Sequence, residues 1–341
     1  MPWHLTQSSA FREILSDPLG DHAHIIWKAW DEQSWQEEWE AEISAGRPMI
    51  FCQLPPPPAL LENQQARVVW LPMWDHICGK PDEWWKSLPC NLRIVAFSDR
   101  VAEKASLAGL PVCRLTFFKN PAAIKPVTWA ENGVRNCFYW NRTGLVGPKF
   151  LERLSRVLQI DTLYFRAETD PKIAPGRQYT LPDKLGRTRV VPVPSDIPHE
   201  QYLNMVSQSH VYVAPRPLEG VGLCFLEAMA SGSAVFAYDA PTMNEYIRTG
   251  ENGYLLRRSS ESTTMSWQLL CFRIKRKLAH LGLRRPLGKS PFMISEFQDW
   301  QSIRRLNLRQ LGETARREHE EGYARWKQDV ERYARFLLEW P

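Results

Sequence analysis

From residue 210 to residue 232 the chain reads His-Val-Tyr-Val-Ala-Pro-Arg-Pro-Leu-Glu-Gly-Val-Gly-Leu-Cys-Phe-Leu-Glu-Ala-Met-Ala-Ser-Gly, and this order of residue types leaves few folds open. Residues 210–214 read as a short buried strand, Gly220 and Gly222 allow the backbone a tight turn, and residues 223–230 are strong helix formers. Leu223, Phe225 and Leu226 on one side of Glu227, and Ala228, Met229 and Ala230 on the other, make the helix apolar nearly all round, which predicts burial. A strand, a glycine turn and a helix N-terminus together suit an anion: the helix dipole and the unpaired first-turn N–H groups favour negative charge, and bare glycines let it approach. Glu219 sits on the turn and Glu227 inside the helix. Carboxylates are seldom fully buried without a partner, so Glu227 is expected to meet a ligand, with a buried ion pair inside the protein as the plainer alternative.

The same alternation runs through the rest of the chain. Residues 25–27, 49–53, 67–72, 92–98 and 114–118 read as strands, with helices over 32–45, 82–87 and 99–108. A second series has strands at 136–140, 162–166, 189–193, 211–214 and 234–238, and helices at 148–158, 199–208 and 222–230. Strands alternating with helices imply parallel, doubly wound sheets. At 341 residues with 44% hydrophobic residues and 15 Trp, two such domains are expected. They are placed at residues 1–120 and 134–258, joined by a proline-bearing linker at 121–133. Residues 55–58, four prolines in a row, are expected to form a stiff surface turn. Thr242 and Glu245 fit a capping box. A basic, irregular segment follows at 259–310, and a helix over 311–340 closes the described order, with Tyr323, Trp326, Val330, Tyr333, Leu337 and Trp340 forming a seam along one face.

Seven scattered cysteines without a Cys-x-x-Cys pair argue against a zinc site or a disulfide framework and suit a reducing, cytoplasmic compartment. No apolar run approaches bilayer length and no basic start leads into an apolar segment. Net charge is +5, with basic residues concentrated between Arg257 and Lys289. Residues 267–283 interleave these charges with leucines, Phe272 and Ile274, so they read either as a helix at the inner face of an anionic membrane or as a basic helix packed on its own protein. Nucleic acid is not expected as a partner.

The segment around Glu219 and Glu227 resembles the retaining GT-B glycosyltransferases of family 4, the group 1 glycosyltransferases, which carry a Glu-x7-Glu signature of this form. The resemblance extends through residues 233–247 and 250–255 and is specific over about 207–256. It implies a GT-B fold: two Rossmann-like domains facing a cleft, with the C-terminal helix, here residues 311–341, bracing the N-terminal domain. It also implies a nucleotide-sugar donor, a glycan, glycolipid or polysaccharide-precursor acceptor, retention of configuration, and no metal or other cofactor. Residue by residue, Glu227 would receive the ribose hydroxyls, Glu219 would lie beside the transferred sugar, and the backbone of Gly220, Gly222 and Leu223 would face the diphosphate.

A breaking glycosidic bond leaves negative charge on the diphosphate, and fixed positive groups there aid catalysis. The family supplies an Arg and a Lys after the first strand of its second domain. Arg142 and Lys149 match in order and type, although their separation is longer than the commonest spacing. Arg216, three residues before Glu219, is a further donor-side candidate. Ligand clefts of open parallel sheets lie at the carboxyl ends of strands, where Asp75 and His76 follow the strand at 67–72. The family's cleft histidine points to His76 as the acceptor-side catalytic group. The glycine-rich first turn of many relatives is not evident near the N-terminus, which leaves room for a reduced acceptor site or one completed by a partner. Two alternatives stay open: a non-catalytic GT-B partner of an active transferase, and a GT-B sugar-nucleotide epimerase.

Overall fold

Two parallel sheets organise the chain in a computed structural model that describes residues 12–20, 36–129, 133–144, 146–168, 179–214, 216–257 and 298–340. Residue contacts divide it into two compact units. The first comprises Met1–Lys119, Glu219–Val221 and Gly322–Pro341, and the second Asn120–Leu218 and Gly222–Glu321.

In the first unit, helix α1 (Gln36–Ser44) leads into β1 (Met49–Gln53), followed by β2 (Val68–Pro72) and β3 (Leu92–Ala96); helix α2 (Asp99–Leu107) then leads to β4 (Val112–Arg114). The strands pair in sequence order, all parallel, with Ile50 opposite Val69, Trp70 opposite Ile94 and Val95 opposite Cys113. β2 is buried along its whole length, as its run of Val68, Val69, Trp70 and Leu71 requires of a strand covered on both faces. Trp70 stacks on Trp85, ring centroids 6.2 Å apart. Ser98 caps α2 by accepting from the Val101 N–H at 3.4 Å.

Two expectations for this unit change. The strand predicted over 114–118 lies at Val112–Arg114. Leu115, Phe117 and Phe118 are buried without joining the ladder, and Phe117 packs instead on Trp326 at 5.3 Å. Their apolar run signals burial but not strand pairing. The proline turn is not wholly a surface loop, because Pro56 and Pro57 are buried and Pro58 opens a short helix, Pro58–Glu62, at the position where a missing N–H costs nothing. The expected strand at 25–27 and the basic segment at 267–283 lie outside the described residues.

The second unit contains β5 (Asn136–Trp140), α3 (Pro148–Leu158), β6 (Thr162–Arg166), β7 (Lys184–Leu185), β8 (Thr188–Pro192), α4 (His199–Ser207), β9 (Val211–Val213), α5 (Leu223–Ser231), β10 (Ala234–Tyr238), α6 (Met243–Tyr246) and β11 (Gly253–Leu256). The sheet order is β11-β10-β9-β5-β6-β8-β7, parallel except for the edge hairpin of β7 with β8. α3 has the expected amphipathic pattern, burying Phe150, Leu151, Leu154 and Leu158. The capping box of Thr242 and Glu245 is present at α6.

Helix α7 (Leu308–Leu338) contributes to both units by residue assignment. In the second unit a Cβ on Gly312 would lie 2.0 Å from the Gly232 carbonyl oxygen, so α7 meets the end of α5 backbone to backbone. In the first unit Trp326, Tyr333 and Leu337 of the seam are buried, while Tyr323, Val330 and Trp340 are half-buried. Arg93 there donates to the Phe336 carbonyl at 2.8 Å and lies over the Trp340 ring at 4.1 Å, satisfying the last turn of α7 with a cation. Among the described residues no helix is long and apolar enough to cross a membrane.

Candidate functional site

α5 begins at a glycine that no other residue could replace without movement. Gly222 is its N-cap in the left-handed region, φ 80°, and a Cβ there would stand 1.9 Å from the Phe225 ring. The Gly222 carbonyl accepts from the N–H groups of Phe225 and Leu226, both at 3.2 Å, which starts the helix and aims its earlier N–H groups outward from the turn. Cys224 lies in this first turn, and Glu227, one turn further and on the same face, is 3% exposed.

Arg142, on the loop after β5, comes to the same turn. Its guanidinium nitrogen is 4.0 Å from Cys224 Sγ, and its guanidinium carbon is 4.9 Å from the centre of the Trp140 ring. Arg166 lies over the same indole at 4.0 Å, and the Trp140 N–H donates to the Glu168 carbonyl at 2.9 Å. Trp140 is thereby held in place as a platform beneath Arg142. The second unit thus brings Arg142 together with Cys224 in the N-terminal turn of the Glu227 helix, two residues that are 82 apart in sequence. Lys149 stands exposed on the first turn of α3 and takes no part in these contacts. Arg216 is half-buried.

Nothing in the sequence singles out His199, yet its Nε2 is 3.6 Å from Glu227 Oε1. A histidine at the start of one helix gives no sequence signal that it will face a carboxylate on another. Beside it Tyr202 and Tyr212 share a hydroxyl–hydroxyl contact of 3.1 Å. Burial above all pushes both phenols well above their ordinary pKa, with the neighbouring Cys224, and Glu227 after it, adding to the shift. Both therefore stay neutral hydrogen-bonding groups.

Residues Glu219–Val221 group with the first unit. Glu219 is buried at 6% exposure, and a Cβ on Gly220 would stand 2.8 Å from the Met73 Cβ, so only glycine fits there. Met73 precedes the helical turn Trp74–Ile77, which carries Asp75 and the exposed His76. The Gln53 amide nitrogen donates to His76 Nε2 at 2.8 Å, which fixes the proton of the neutral ring on Nδ1; Asp75 Oδ2, at 3.9 Å, is too far for a hydrogen bond. Gln53 itself has φ 69°, a left-handed conformation rare for a residue with a side chain, at the carboxyl end of β1. Sequence inspection gives no sign of that strain.

Residues 180–270 match the family model described as glycosyl transferases group 1. A curated relative, the UDP-N-acetylglucosamine–peptide N-acetylglucosaminyltransferase GtfA subunit of Streptococcus pneumoniae, is 38% identical over 64 residues, which is 18% of this chain and 13% of that relative's length. The crystal structure of a glycosyltransferase from Rickettsia africae superposes with a TM-score of 0.55 at 14% identity, covering 92% of this chain and 85% of that one. The pneumococcal GtfA structure, in complex with UDP and GlcNAc, gives a TM-score of 0.41 at 14% identity, covering 80% and 54%. By fold the chain is a GT-B protein with two Rossmann-like units, and by sequence its residues 180–270 carry the group 1 glycosyl transferase pattern.

Proposed function

We propose that the chain is a retaining, metal-independent glycosyltransferase that moves a sugar from a nucleoside diphosphate to a glycan, glycolipid or polysaccharide-precursor hydroxyl. The observation that carries this reading is the approach of Arg142 to the N-terminal turn of α5, with Glu227 buried one turn further along. That turn presents the positive end of the helix dipole to a diphosphate. Arg142 adds a fixed full charge where the leaving group becomes more negative. Glu227 accepts the ribose hydroxyls, and Glu219 accepts from hydroxyls of the transferred sugar. In the reaction the bond from the anomeric carbon to the phosphate oxygen breaks, its electron pair stays on the diphosphate, and the acceptor oxygen forms the new bond to the anomeric carbon. The acceptor proton leaves to the departing phosphate, while His76 helps to position the acceptor hydroxyl.

The group 1 family match and the naming of a curated relative after a UDP-sugar reaction support a nucleotide-sugar donor here. The purified chain should release nucleoside diphosphate from one of a set of UDP- and GDP-sugars, faster with acceptor present. Glu219→Gln should slow that release by roughly 100-fold or more while leaving affinity for the bare nucleoside diphosphate nearly intact, since the bare ligand lacks the sugar. Donor binding without turnover on any acceptor would instead favour a non-catalytic partner of another transferase.

A further inference from the structure

His199 is the first residue of α4, and its Nε2 is buried although the side chain as a whole is 36% exposed. That nitrogen faces Glu227 Oε1 at 3.6 Å, and the Glu227 side chain is only 4% exposed. The imidazole lies over the Tyr202 ring, centroids 5.8 Å apart and planes 28° apart. Tyr202 in turn is fixed by Tyr212 through the contact between their hydroxyls. The histidine ring is therefore stacked on a buried, anchored phenol with one nitrogen aimed at one carboxylate oxygen.

We propose that His199 is a positioning residue for donor binding: it holds the Glu227 carboxylate in the orientation that receives the ribose hydroxyls of a nucleoside diphosphate. The proposal rests on the donor-site reading of Glu227. A buried carboxylate needs polar partners to stay ionised, and the identity of the partner decides what remains for a ligand. An arginine fork takes both oxygens of a carboxylate at once, whereas an imidazole presents a single N–H in a given direction and so engages one oxygen. The contact with Oε1 restricts rotation of the carboxylate. Arg142, the nearby full cation, is directed to Cys224 on the preceding turn. The two residues thus divide the face of α5, with Arg142 at the first turn for the diphosphate and His199 at the second for the ribose end.

Calorimetric affinities decide the matter. Among UDP, GDP and ADP the tightest binder is carried forward together with its 2′,3′-dideoxy form, which lacks the hydroxyls that Glu227 would receive. His199→Phe keeps the ring over Tyr202 and removes the nitrogen; His199→Gln returns an amide N–H near the Nε2 position. His199→Phe should weaken the ribose-bearing nucleotide roughly 5- to 30-fold and change the dideoxy form by no more than about twofold, and His199→Gln should recover most of the loss. Equal losses for both nucleotides, no loss, or no recovery with glutamine would overturn the positioning role. Should the phenylalanine variant fail to fold, His199→Asn, whose amide is too short to reach Glu227, replaces it with the same expectations. Glu227→Gln is the control on the underlying reading. If it binds the ribose-bearing nucleotide at parental strength, or if none of the three nucleotides binds the unaltered chain, Glu227 is not a ribose ligand and the proposal falls with it.

Discussion

The two ends of β5 and β9 carry polar groups of similar type but opposite use. At their amino ends His210 is 5% exposed and spends both ring nitrogens on backbone: Nδ1 accepts from the Asn136 N–H at 3.0 Å, and Nε2 donates to the Thr128 carbonyl at 3.2 Å. The Trp129 ring packs edge-on against it at 4.7 Å. Past their carboxyl ends Arg142 comes within 4.0 Å of the Cys224 sulfur, and Glu227 Oε1 stands 3.6 Å from His199 Nε2. At the amino ends the polar groups satisfy one another within the fold. At the carboxyl ends charged side chains gather at the first two turns of α5, which agrees with where open parallel sheets bind their ligands. The contrast can be attacked from either end.

The largest effect is expected at Gly222. An alanine there must adopt φ 80° and displace the Phe225 ring, itself 1% exposed and packed edge-on to Tyr246 at 5.4 Å. Adding the left-handed penalty to that of overpacking, Gly222→Ala should lose about 2–5 kcal/mol in urea unfolding. Nucleotide affinity should fall as well, since the first turn of α5 moves. A variant as stable as the parent would mean that the turn is not set by this glycine.

Arg142→Ala should instead separate activity from stability. Turnover should drop by roughly 100- to 1,000-fold, as for loss of one preorganised donor to developing charge, while the unfolding midpoint shifts little because a half-buried guanidinium over an indole contributes on the order of 1 kcal/mol. Parental turnover with a verified donor and acceptor would remove Arg142 from the chemistry and erase the difference between the two strand ends.

How much of this was readable beforehand depends on how local the cause is. β5, β6, β10 and α3 lie at the residues expected, because an apolar run or an amphipathic repeat bounded by turn residues fixes them without help from afar. The Gly222 turn and the burial of Glu227 were legible for the same reason. β4 was misplaced because Leu115, Phe117 and Phe118 owe their burial to other elements, Phe117 to Trp326, which lies more than 200 residues further along the chain. β7, a two-residue strand closed by Gly186 with φ 60°, is too short to carry a period. Among site residues, Arg142 was found through its place after a strand, whereas His199 and Gln53 depend on which side chains the tertiary structure brings opposite them. The clasp of His210 falls in the same class, since neither Asn136 nor Thr128 marks it in sequence.

The smallest effect, and the sharpest test of the amino end, is the pH dependence of stability through His210. Burial first, with Arg135 adding to it, lowers its pKa from the ordinary value, against smaller opposing influences from the Thr128 carbonyl and Asp161. A histidine whose folded-state pKa lies below its unfolded value of about 6.5 is neutral in both states at higher pH, so its contribution to stability is complete there. Below about pH 6.5 the unfolded chain binds a proton that the folded chain resists, and stability declines until the pH passes the lowered folded pKa. Protonation would also remove the lone pair through which Nδ1 accepts from Asn136, so the two effects share one sign. His210→Asn can still accept that N–H but cannot titrate or reach Thr128. It should cost about 1 kcal/mol at pH 7.5, flatten the loss of stability below pH 6.5, and leave kcat at neutral pH unchanged. A steep acid decline that survives the substitution would assign the titration to another group, and a fall in kcat would mean that the amino ends of β5 and β9 are not purely structural.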